Sequence, residues 1–321
     1  MSITGIDRVT FGVPDLAACR TFFLDWGLKL VAERDGALDF ETMNGCEVQF
    51  RAIDDPALPK AIEDGATVRE VIWSAAAQAD IDACRAAMKD APNFSERDGT
   101  VFCDDPNGLR VGVRVSRKRE LDVQGVRANT WGHAGRIDQA SPSYERAEPI
   151  EVGHVVFFTD KLEAATAFYH SIGFCMSDRY PGRGHFLRTS ERGGHHDMFL
   201  LQTPDSKPGL NHVAFAVRDI HEVFGGGLHM SRCGHETQLG PGKHPVSSAF
   251  FWYFKSPAGA LVEYYTDEDV LTENWLPRDF EPGPTVFAEW AIAGGIDGVT
   301  RRQKQAPAAP QDGKFITDKR S

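Results

Sequence analysis

The chain has 321 residues, with 35 basic and 46 acidic side chains, so its formal net charge at pH 7 is −11. Apolar residues make up 41% and charged residues 25%, which is typical of a globular protein and excludes a wholly disordered chain. The acidic balance argues against non-specific nucleic-acid binding. No run of about 18 apolar residues occurs, so we expect no membrane span, and we expect no secretory signal. The six cysteines form no CxxC pair, which predicts reduced thiols and a cytoplasmic location.

Four segments of the chain repeat one pattern, an apolar strand followed by an amphipathic helix and further strands. They lie near residues 4–53, 66–116, 150–203 and 208–267. In the first segment, Pro14 and Asp15 suit a helix start and Gly27 a helix end, and Gly173 repeats that end in the third segment. The repeat predicts two domains, each built from a pair of these units.

The predicted domain boundaries follow from changes in composition along the chain. We expect an N-terminal domain over residues 1–118, a polar, turn-rich linker over 119–149 and a C-terminal domain over 150–270. Residues 271–321 form an extension. Its Trp, Phe and Pro residues predict an ordered strap over the domain surface, and its basic last 21 residues predict a loose tail.

Histidine is confined to the later part of the chain, because all eleven histidines lie at or after residue 133. His154 and His212 occupy the same relative place in the first strands of the third and fourth units. Glu263 lies in an apolar strand, where a carboxylate is costly unless it is paired or bound to metal. Two His and one Glu from three strands would form a 2-His-1-carboxylate triad, which leaves open positions on a ferrous ion.

A lone His or Glu in a strand is more often structural, and the N-terminal half provides an internal comparison. At the places that match the three candidate ligands it has Arg8, Glu70 and Gly112, which would not rebuild the triad. The repeat alone therefore does not require metal ligands at these positions.

Over roughly residues 4–270, the sequence resembles the vicinal oxygen chelate superfamily, and within it the two-domain type I extradiol ring-cleavage dioxygenases. The resemblance implies an α+β fold of four βαβββ modules paired into two domains, each an incomplete barrel of mixed sheet. It also implies that only the C-terminal domain binds metal. The metal would be Fe(II), with Mn(II) as the alternative, held by His154, His212 and Glu263.

Further catalytic residues are implied by the same resemblance. His196, in the segment GGHHDMFLLQ, matches the family's acid–base residue, and we expect its neighbour His195 to face the other way across a strand. His244 and Tyr253, nine residues apart and followed by Pro257, match residues that hydrogen-bond the substrate oxygen. Taken alone, Tyr253 could be a core aromatic and His244 a surface residue.

The pocket also shows a departure from catechol-type members, which often have a polar Asn-Asp pair shortly after the pocket His. Here Val246 and Ser247 stand in those places, which leaves the substrate's substituents open. The residues expected to form an apolar pocket wall are Phe186, Phe199, Phe250 and Trp252.

The function implied is that of an oxidoreductase, an extradiol dioxygenase of aromatic-compound degradation. Its partners would be a small aromatic diol and O2, in a homo-oligomer without nucleic acid or membrane. Two alternatives stay open. The first is a metal-dependent lyase or isomerase, or a hydroxyphenylpyruvate-type oxygenase, with the same triad. The second is a non-enzymatic, ligand-sequestering protein of the bleomycin-resistance kind.

Overall fold

The structure is a computed structural model, and it describes residues 1–281 and 283–294. The elements of the N-terminal half (residues 1–118) are β1 (Ile3–Val13), α1 (Leu16–Asp25), β2 (Lys29–Arg34), β3 (Ala37–Glu41), β4 (Glu47–Ala52), β5 (Thr67–Ala75), α2 (Gln78–Met88), β6 (Ser95–Arg97), β7 (Thr100–Asp104) and β8 (Arg110–Val115).

The C-terminal half (residues 150–294) repeats this order and then adds three short elements. They are β9 (Glu151–Phe158), α3 (Leu162–Ser171), β10 (Cys175–Tyr180), β11 (Gly184–Arg188), β12 (Met198–Leu201), β13 (Gly209–Ala216), α4 (Ile220–Arg232), β14 (Thr237–Lys243), β15 (Phe250–Lys255), β16 (Leu261–Thr266), β17 (Arg278–Asp279), α5 (Pro284–Phe287) and β18 (Trp290–Gly294).

Each half forms one open, mixed sheet from two βαβββ modules. The N-terminal sheet has the order β2-β3-β4-β1-β5-β8-β7-β6, and the C-terminal sheet has the order β17-β10-β11-β12-β9-β13-β16-β15-β14-β18. In both sheets the first strands of the two modules pair antiparallel at the centre, and each pairs parallel with the last strand of its own module. The predicted α+β class and module pattern are confirmed.

The module boundaries arise from local sequence signals. Asp15 accepts a hydrogen bond from the backbone N–H of Ala18, so it caps α1 as predicted. Gly27 and Gly173 follow α1 and α3 with φ of +94° and +104°, a conformation that favours glycine. Both modules therefore turn from helix to strand at the predicted place.

The apolar core is continuous between the two halves. The ring of Trp26, just after α1, stacks on Tyr264 of β16 with centroids 3.5 Å apart. The Tyr264 hydroxyl donates to the Trp26 carbonyl at 2.7 Å. The N-terminal half thus packs directly against a strand of the C-terminal sheet.

The chain between β8 and β9 has one isolated bridge, Thr130 to His133, and otherwise no helix or strand within 116–150. The predicted strap is observed over residues 271–294, since β17 extends the sheet beside β10 and β18 extends it beside β14. The predicted loose tail, residues 301–321, lies outside the described residues. No helix of the described chain has the length and apolarity to cross a membrane. The domain limits stay predictions.

Candidate metal centre

Strand register brings His154, His212 and Glu263 together. His154 of β9 pairs with Ala214 of β13, and Ala214 pairs with Glu263 of β16, so these three residues form a row across the sheet. His212 lies two residues before Ala214, on the same face of β13. The small side chain of Ala214 leaves space between the three larger ones. We call His154, His212 and Glu263 the inner cluster.

The inner cluster has the spacing of metal ligands. The Nε2 atoms of His154 and His212 are 3.3 Å apart, and each lies 3.2 Å from Oε2 of Glu263. All three residues are buried. Three ligands placed at right angles about 2.2 Å from one ion would be about 3.1 Å apart. The three donor atoms therefore fit one face of an octahedral site.

The hydrogen bonds of the inner cluster also suit a metal. Nδ1 of His212 lies 2.7 Å from Oδ1 of Asn211, and because an amide oxygen only accepts, this bond places the proton on Nδ1. Nε2 of His212 then presents a lone pair toward the cluster. Oε1 of Glu263 is buried and has no hydrogen-bond partner in the described chain. A cation bound between these side chains would offset the cost of burying the Glu263 carboxylate.

Burial and hydrogen bonding set the charges of the inner cluster. Burial acts to raise the pKa of Glu263, but the neighbouring imidazoles of His154, His212 and His244 outweigh it and hold that pKa well below its usual range. Burial lowers the pKa of His154 to about 4. The cluster thus offers one carboxylate and at least one neutral imidazole at neutral pH, which are the protonation states that bind metal.

Gly153 allows the backbone beside His154 to approach Tyr265. A Cβ atom at this position would lie 1.9 Å from the Tyr265 hydroxyl oxygen, so no larger residue fits without displacing that ring. The Tyr265 ring lies 4.9 Å from the His154 ring, between centroids. Tyr265 thereby supports His154 from the side.

His195 and His196 precede β12 rather than lying in it, so the prediction that strand alternation separates them is wrong. The two rings contact each other, with Nδ1 atoms 3.1 Å apart. Only His196 lines the cavity at the inner cluster, 4.2 Å from the His154 ring between centroids. His196 therefore faces the cavity beside the inner cluster, and His195 lies behind it.

A chain of hydrogen bonds assigns the protons of both histidines. Nε2 of His195 lies 2.9 Å from Oδ2 of Asp178, which only accepts, so Nε2 carries the proton. With its proton on Nε2, His195 accepts at Nδ1 from Nδ1–H of His196, which leaves a lone pair on Nε2 of His196. Asp178 is held in turn by Arg278 of β17, at 2.7 Å between Oδ2 and a terminal guanidinium nitrogen.

His244 and Tyr253 also reach the inner cluster. Tyr253 pairs with Glu263 in the β15–β16 register, so both side chains leave the same face of the sheet. Nδ1–H of His244 donates to the carbonyl of Phe287 at 2.6 Å, which leaves Nε2 to accept from the Tyr253 hydroxyl at 3.1 Å. The same Nε2 lies 3.5 Å from Oε1 of Glu263.

A cavity of about 50 Å³ adjoins these groups. Residues lining it besides the groups named above are Val156, Tyr180, Phe186, Phe199, Val246, Ser247, Ala249, Glu268, Val286 and Phe287. Phe186 and Phe199 stack in parallel with centroids 3.9 Å apart and form one wall, as predicted. The cavity is far smaller than the roughly 300–1,000 Å³ usual for ligand pockets, since Val286 and Phe287 of α5 close one side.

Two residues expected in this wall lie elsewhere. Trp252 pairs with Tyr264 and therefore points to the face opposite Tyr253, where it packs against Phe254. Phe250 shares that face by alternation along β15 and contacts Trp290 instead. The prediction was wrong for both residues because it considered only the type of side chain and not the face of β15 to which each one points.

Glu268 is a cavity residue that the sequence did not single out. Burial, together with the nearby Asp197, raises its pKa to about 8. Its Oε2 accepts from the backbone N–H of His195 at 2.9 Å, and its Oε1 accepts from the Tyr265 hydroxyl at 3.3 Å. Nothing in the sequence around Glu268 predicts that this residue is buried, so its place in the cavity is known only from the structure.

The N-terminal half has a different arrangement at the matching positions. Arg8 pairs with Ile72, and Ile72 with Gly112, in the register that joins His154, Ala214 and Glu263 in the other half. Glu70 takes the place of His212, and it forms a salt bridge with Arg8 at 3.0 Å. An open cleft of about 850 Å³ lies beside this ion pair. Its size does not make it the reaction site, because an ion pair replaces the ligand set there.

Fold and site together define a protein of paired βαβββ modules with a buried His–His–Glu cluster in the C-terminal sheet. Residues 151–264 match the sequence model of the Glyoxalase/Bleomycin resistance protein/Dioxygenase superfamily. The predicted resemblance to that superfamily is therefore confirmed over this half of the chain. The second module pair extends the same architecture over the N-terminal half.

The whole chain is similar to known proteins of this kind. It is 25% identical over 300 residues to Metapyrocatechase 2 of Cupriavidus necator, covering 90% of this chain and 89% of that protein. The Mn(II)-bound glyoxalase of Novosphingobium aromaticivorans has a TM-score of 0.72 at 23% identity, with 99% of both chains covered. Homoprotocatechuate 2,3-dioxygenase of Arthrobacter globiformis has a TM-score of 0.69 at 19% identity, covering 94% of this chain and 92% of that one. The two structural likenesses establish the two-domain fold.

Proposed function

We propose that the chain is an extradiol ring-cleavage dioxygenase, which breaks the aromatic C–C bond next to a catechol's two hydroxyl groups. Both atoms of one O2 enter the product, a 2-hydroxymuconic semialdehyde type of compound. The observation that carries the proposal is the convergence of the inner cluster with His196, His244 and Tyr253 on one cavity. Similarity to a metapyrocatechase over nine-tenths of the chain supports it.

We assign His154, His212 and Glu263 as ligands of Fe(II), with Mn(II) as the alternative. An ion held there supplies one point of attachment for the substrate's oxygens and for O2, which removes much of the entropic barrier to their meeting. The protein's part is to keep Glu263 ionised and to hold the proton of His212 on Nδ1, so that Nε2 of His212 is free to bind the metal.

The other three residues have distinct roles in this proposal. His196, with its free lone pair on Nε2, takes a proton from a substrate hydroxyl and later returns one to an oxygen. Its pKa lies well below the usual value because of burial, so it starts as a base. Tyr253 and His244 hydrogen-bond a substrate oxygen, and the contact between their side chains fixes both in place.

The cavity wall indicates the substrate class, a catechol with an apolar, uncharged substituent. The buried apolar cluster of Val156, Phe186, Phe199 and Val246 faces the reacting groups. Among the described residues, no Lys or Arg lines this cavity, and Glu268 does. A carboxylate on the ring would therefore be buried without a cationic partner.

The test is oxygen uptake and yellow product formation by anaerobically iron-loaded protein. We expect turnover of catechol, 3-methylcatechol and 4-methylcatechol. Protocatechuate, which carries a carboxylate where 4-methylcatechol carries a methyl group, should have a kcat/KM lower by about 100-fold or more. Glu263→Ala should abolish iron retention, whereas His196→Gln should keep the iron and lower kcat by about 10²–10⁴-fold.

Failure of a wide catechol panel to consume oxygen would contradict the proposed reaction, and full activity of His196→Gln would contradict the role of that residue. Turnover without oxygen by a zinc, nickel or cobalt form would instead identify a lyase or isomerase. Freshly purified protein without metal would favour a ligand-sequestering protein. Equal use of 4-methylcatechol and protocatechuate would contradict the substrate class alone.

A further inference from the structure

A second group of metal-binding side chains lies at the boundary between the two halves, apart from the inner cluster. Asp25 ends α1 in the N-terminal half, and His229 and Cys233 lie one turn apart at the end of α4 in the C-terminal half. One ligand atom of each lies within 4.8 Å of the others. We call Asp25, His229 and Cys233 the outer cluster.

Distances in the outer cluster match those between ligands of one ion. Nε2 of His229 lies 3.6 Å from Sγ of Cys233. A nitrogen about 2.0 Å and a sulfur about 2.3 Å from a tetrahedral zinc ion would be about 3.5 Å apart. Residues i and i+4 lie on one face of a helix, so the helical backbone itself maintains this separation.

The third ligand is held from the opposite side. Oδ2 of Asp25 lies 2.8 Å from Nε2 of His235, which follows α4 directly. The His235 ring packs edge-on against Phe22 at 4.7 Å between centroids. Next to Asp25, the stacking of Trp26 on Tyr264 fixes the end of α1. Carboxylates that bind metal are commonly held by a hydrogen bond from a second residue, as Asp25 is here by His235.

The local field also favours a cation. Cys233 caps the C-terminus of α4, a 13-residue helix whose last carbonyls carry partial negative charge. Gly234 follows with φ of +87°, which ends the helix and brings His235 back toward Asp25. One thiol, one imidazole and one carboxylate form a ligand set suited to zinc, with the fourth position left to water.

We propose that the outer cluster binds a zinc ion, with Asp25, His229 and Cys233 as ligands and His235 positioning Asp25, so that the metal ties the two halves together. The site is independent of the proposed reaction, because its ligands lie outside the cavity at the inner cluster. Bound zinc stabilises the folded chain, since α1 and α4 supply ligands only when both halves are in place.

Cobalt(II) titration of the reduced, metal-free full-length protein tests the proposal. A cobalt–thiolate bond gives a near-ultraviolet charge-transfer band, and the inner cluster contains no sulfur. We expect the band in the wild-type protein, two metal equivalents per chain and loss of the band on adding zinc. Cys233→Ala and His229→Gln should remove the band and one equivalent. His235→Ala should weaken zinc binding about 10–100-fold.

Two controls separate this site from the inner cluster. Cys175→Ala, which removes a half-buried cysteine outside the outer cluster, should keep the band and both equivalents. Glu263→Ala should keep the band and lose one equivalent, whatever the reaction of the enzyme. Absence of the band in the wild type, or its persistence in Cys233→Ala, would overturn the proposal. Asp25→Asn provides an independent check, because a full band with unchanged zinc affinity in that variant would also overturn it.

Discussion

At the scale of single residues, proton placement decides what the candidate site can do. Asp178 fixes the proton of His195 on Nε2, and His195 in turn fixes that of His196 on Nδ1. His195 does not line the cavity, so it is a positioning residue that acts through His196. The buried carboxylate of Asp178 keeps its charge, because hydrogen bonds from His195 and Arg278 outweigh the effect of burial and lower its pKa.

We predict that His195→Phe lowers kcat by about 10–100-fold without loss of metal, because His196 loses the acceptor that fixes its tautomer. Steady-state kinetics and metal analysis check this. His195→Gln, which keeps an acceptor, should restore part of the rate, and His170→Phe on the exposed part of α3 should have wild-type kinetics. If His195→Phe has the same kcat as the wild type, the hydrogen bonds that run from Asp178 through His195 to His196 have no catalytic consequence.

The sequence predicted the inner cluster because two repeats carried His154 and His212 in one register. It could not predict that Ala214 would provide the space between the ligands, nor that Glu268 would face the cavity. Both depend on pairing between strands distant in the chain. The pairing of β15 with β16 also decides which side chains of β15 face the cavity. Phe250 and Trp252 lie on the opposite face from Tyr253 and so are not part of the cavity wall.

At the scale of elements, strand β16 joins the candidate site to the interface between the halves. Glu263 and Tyr265 point into the cavity, and Tyr264 between them points to the other face and stacks on Trp26. Strand alternation alone produces this division. The proposed metal ligand Glu263 and the interface residue Tyr264 are therefore neighbours on one strand.

We predict that Trp26→Ala lowers the free energy of unfolding by about 3–5 kcal/mol, because it removes a fully buried ring and leaves a cavity. Trp131→Ala is the matched control, since Trp131 is fully exposed in the linker and its loss should change stability by at most about 0.5 kcal/mol. Urea unfolding of both metal-free variants provides the comparison. Equal stabilities would show that the stacked interface contributes little.

The strand–helix–strand modules were predictable, because Asp15, Gly27 and Gly173 mark helix ends by local backbone chemistry. The strap was predictable only as an ordered segment. Its two strands pair with the distant edges of β10 and β14, and a short sequence rich in Pro and Trp does not specify partners.

At the scale of the whole molecule, a buried polar contact joins the halves at a second place. Tyr169 of α3 donates its hydroxyl to Oδ2 of Asp105 at 3.0 Å. Burial raises the pKa of Asp105 to about 6, although this hydrogen bond and those from the backbone of Leu109 and Asn107 act to lower it. The carboxylate is therefore ionised at neutral pH at a cost to stability.

Because the folded-state pKa of Asp105 lies above its unfolded value, the folded chain binds this proton more tightly, and stability falls as pH rises from about 4 to about 6. We predict that the wild type loses about 3 kcal/mol relative to Asp105→Asn over this interval. Urea unfolding of both proteins at several pH values measures the difference, in which other titrating groups cancel. The prediction would be contradicted if the difference in free energy of unfolding between the two proteins did not change with pH, or if the wild type became relatively more stable as pH rises.

The homo-oligomeric state and the cytoplasmic location stay predictions, since they depend on surfaces and partners beyond one chain. The two-domain limits stay predictions as well. A single buried apolar cluster contains residues from both halves, so the repeat in the sequence does not mark two separate cores.

The ring of Phe102 blocks the position in the N-terminal half that matches Glu263. It lies over Gly112, where a Cβ atom would meet it at 2.8 Å, so no carboxylate can be introduced at this position while Phe102 stays in place. Building the same ligand set in the N-terminal half would need changes at Arg8, Glu70, Gly112 and Phe102 together. The packing of Phe102 over Gly112 therefore keeps the ligand pattern of the inner cluster out of the N-terminal half.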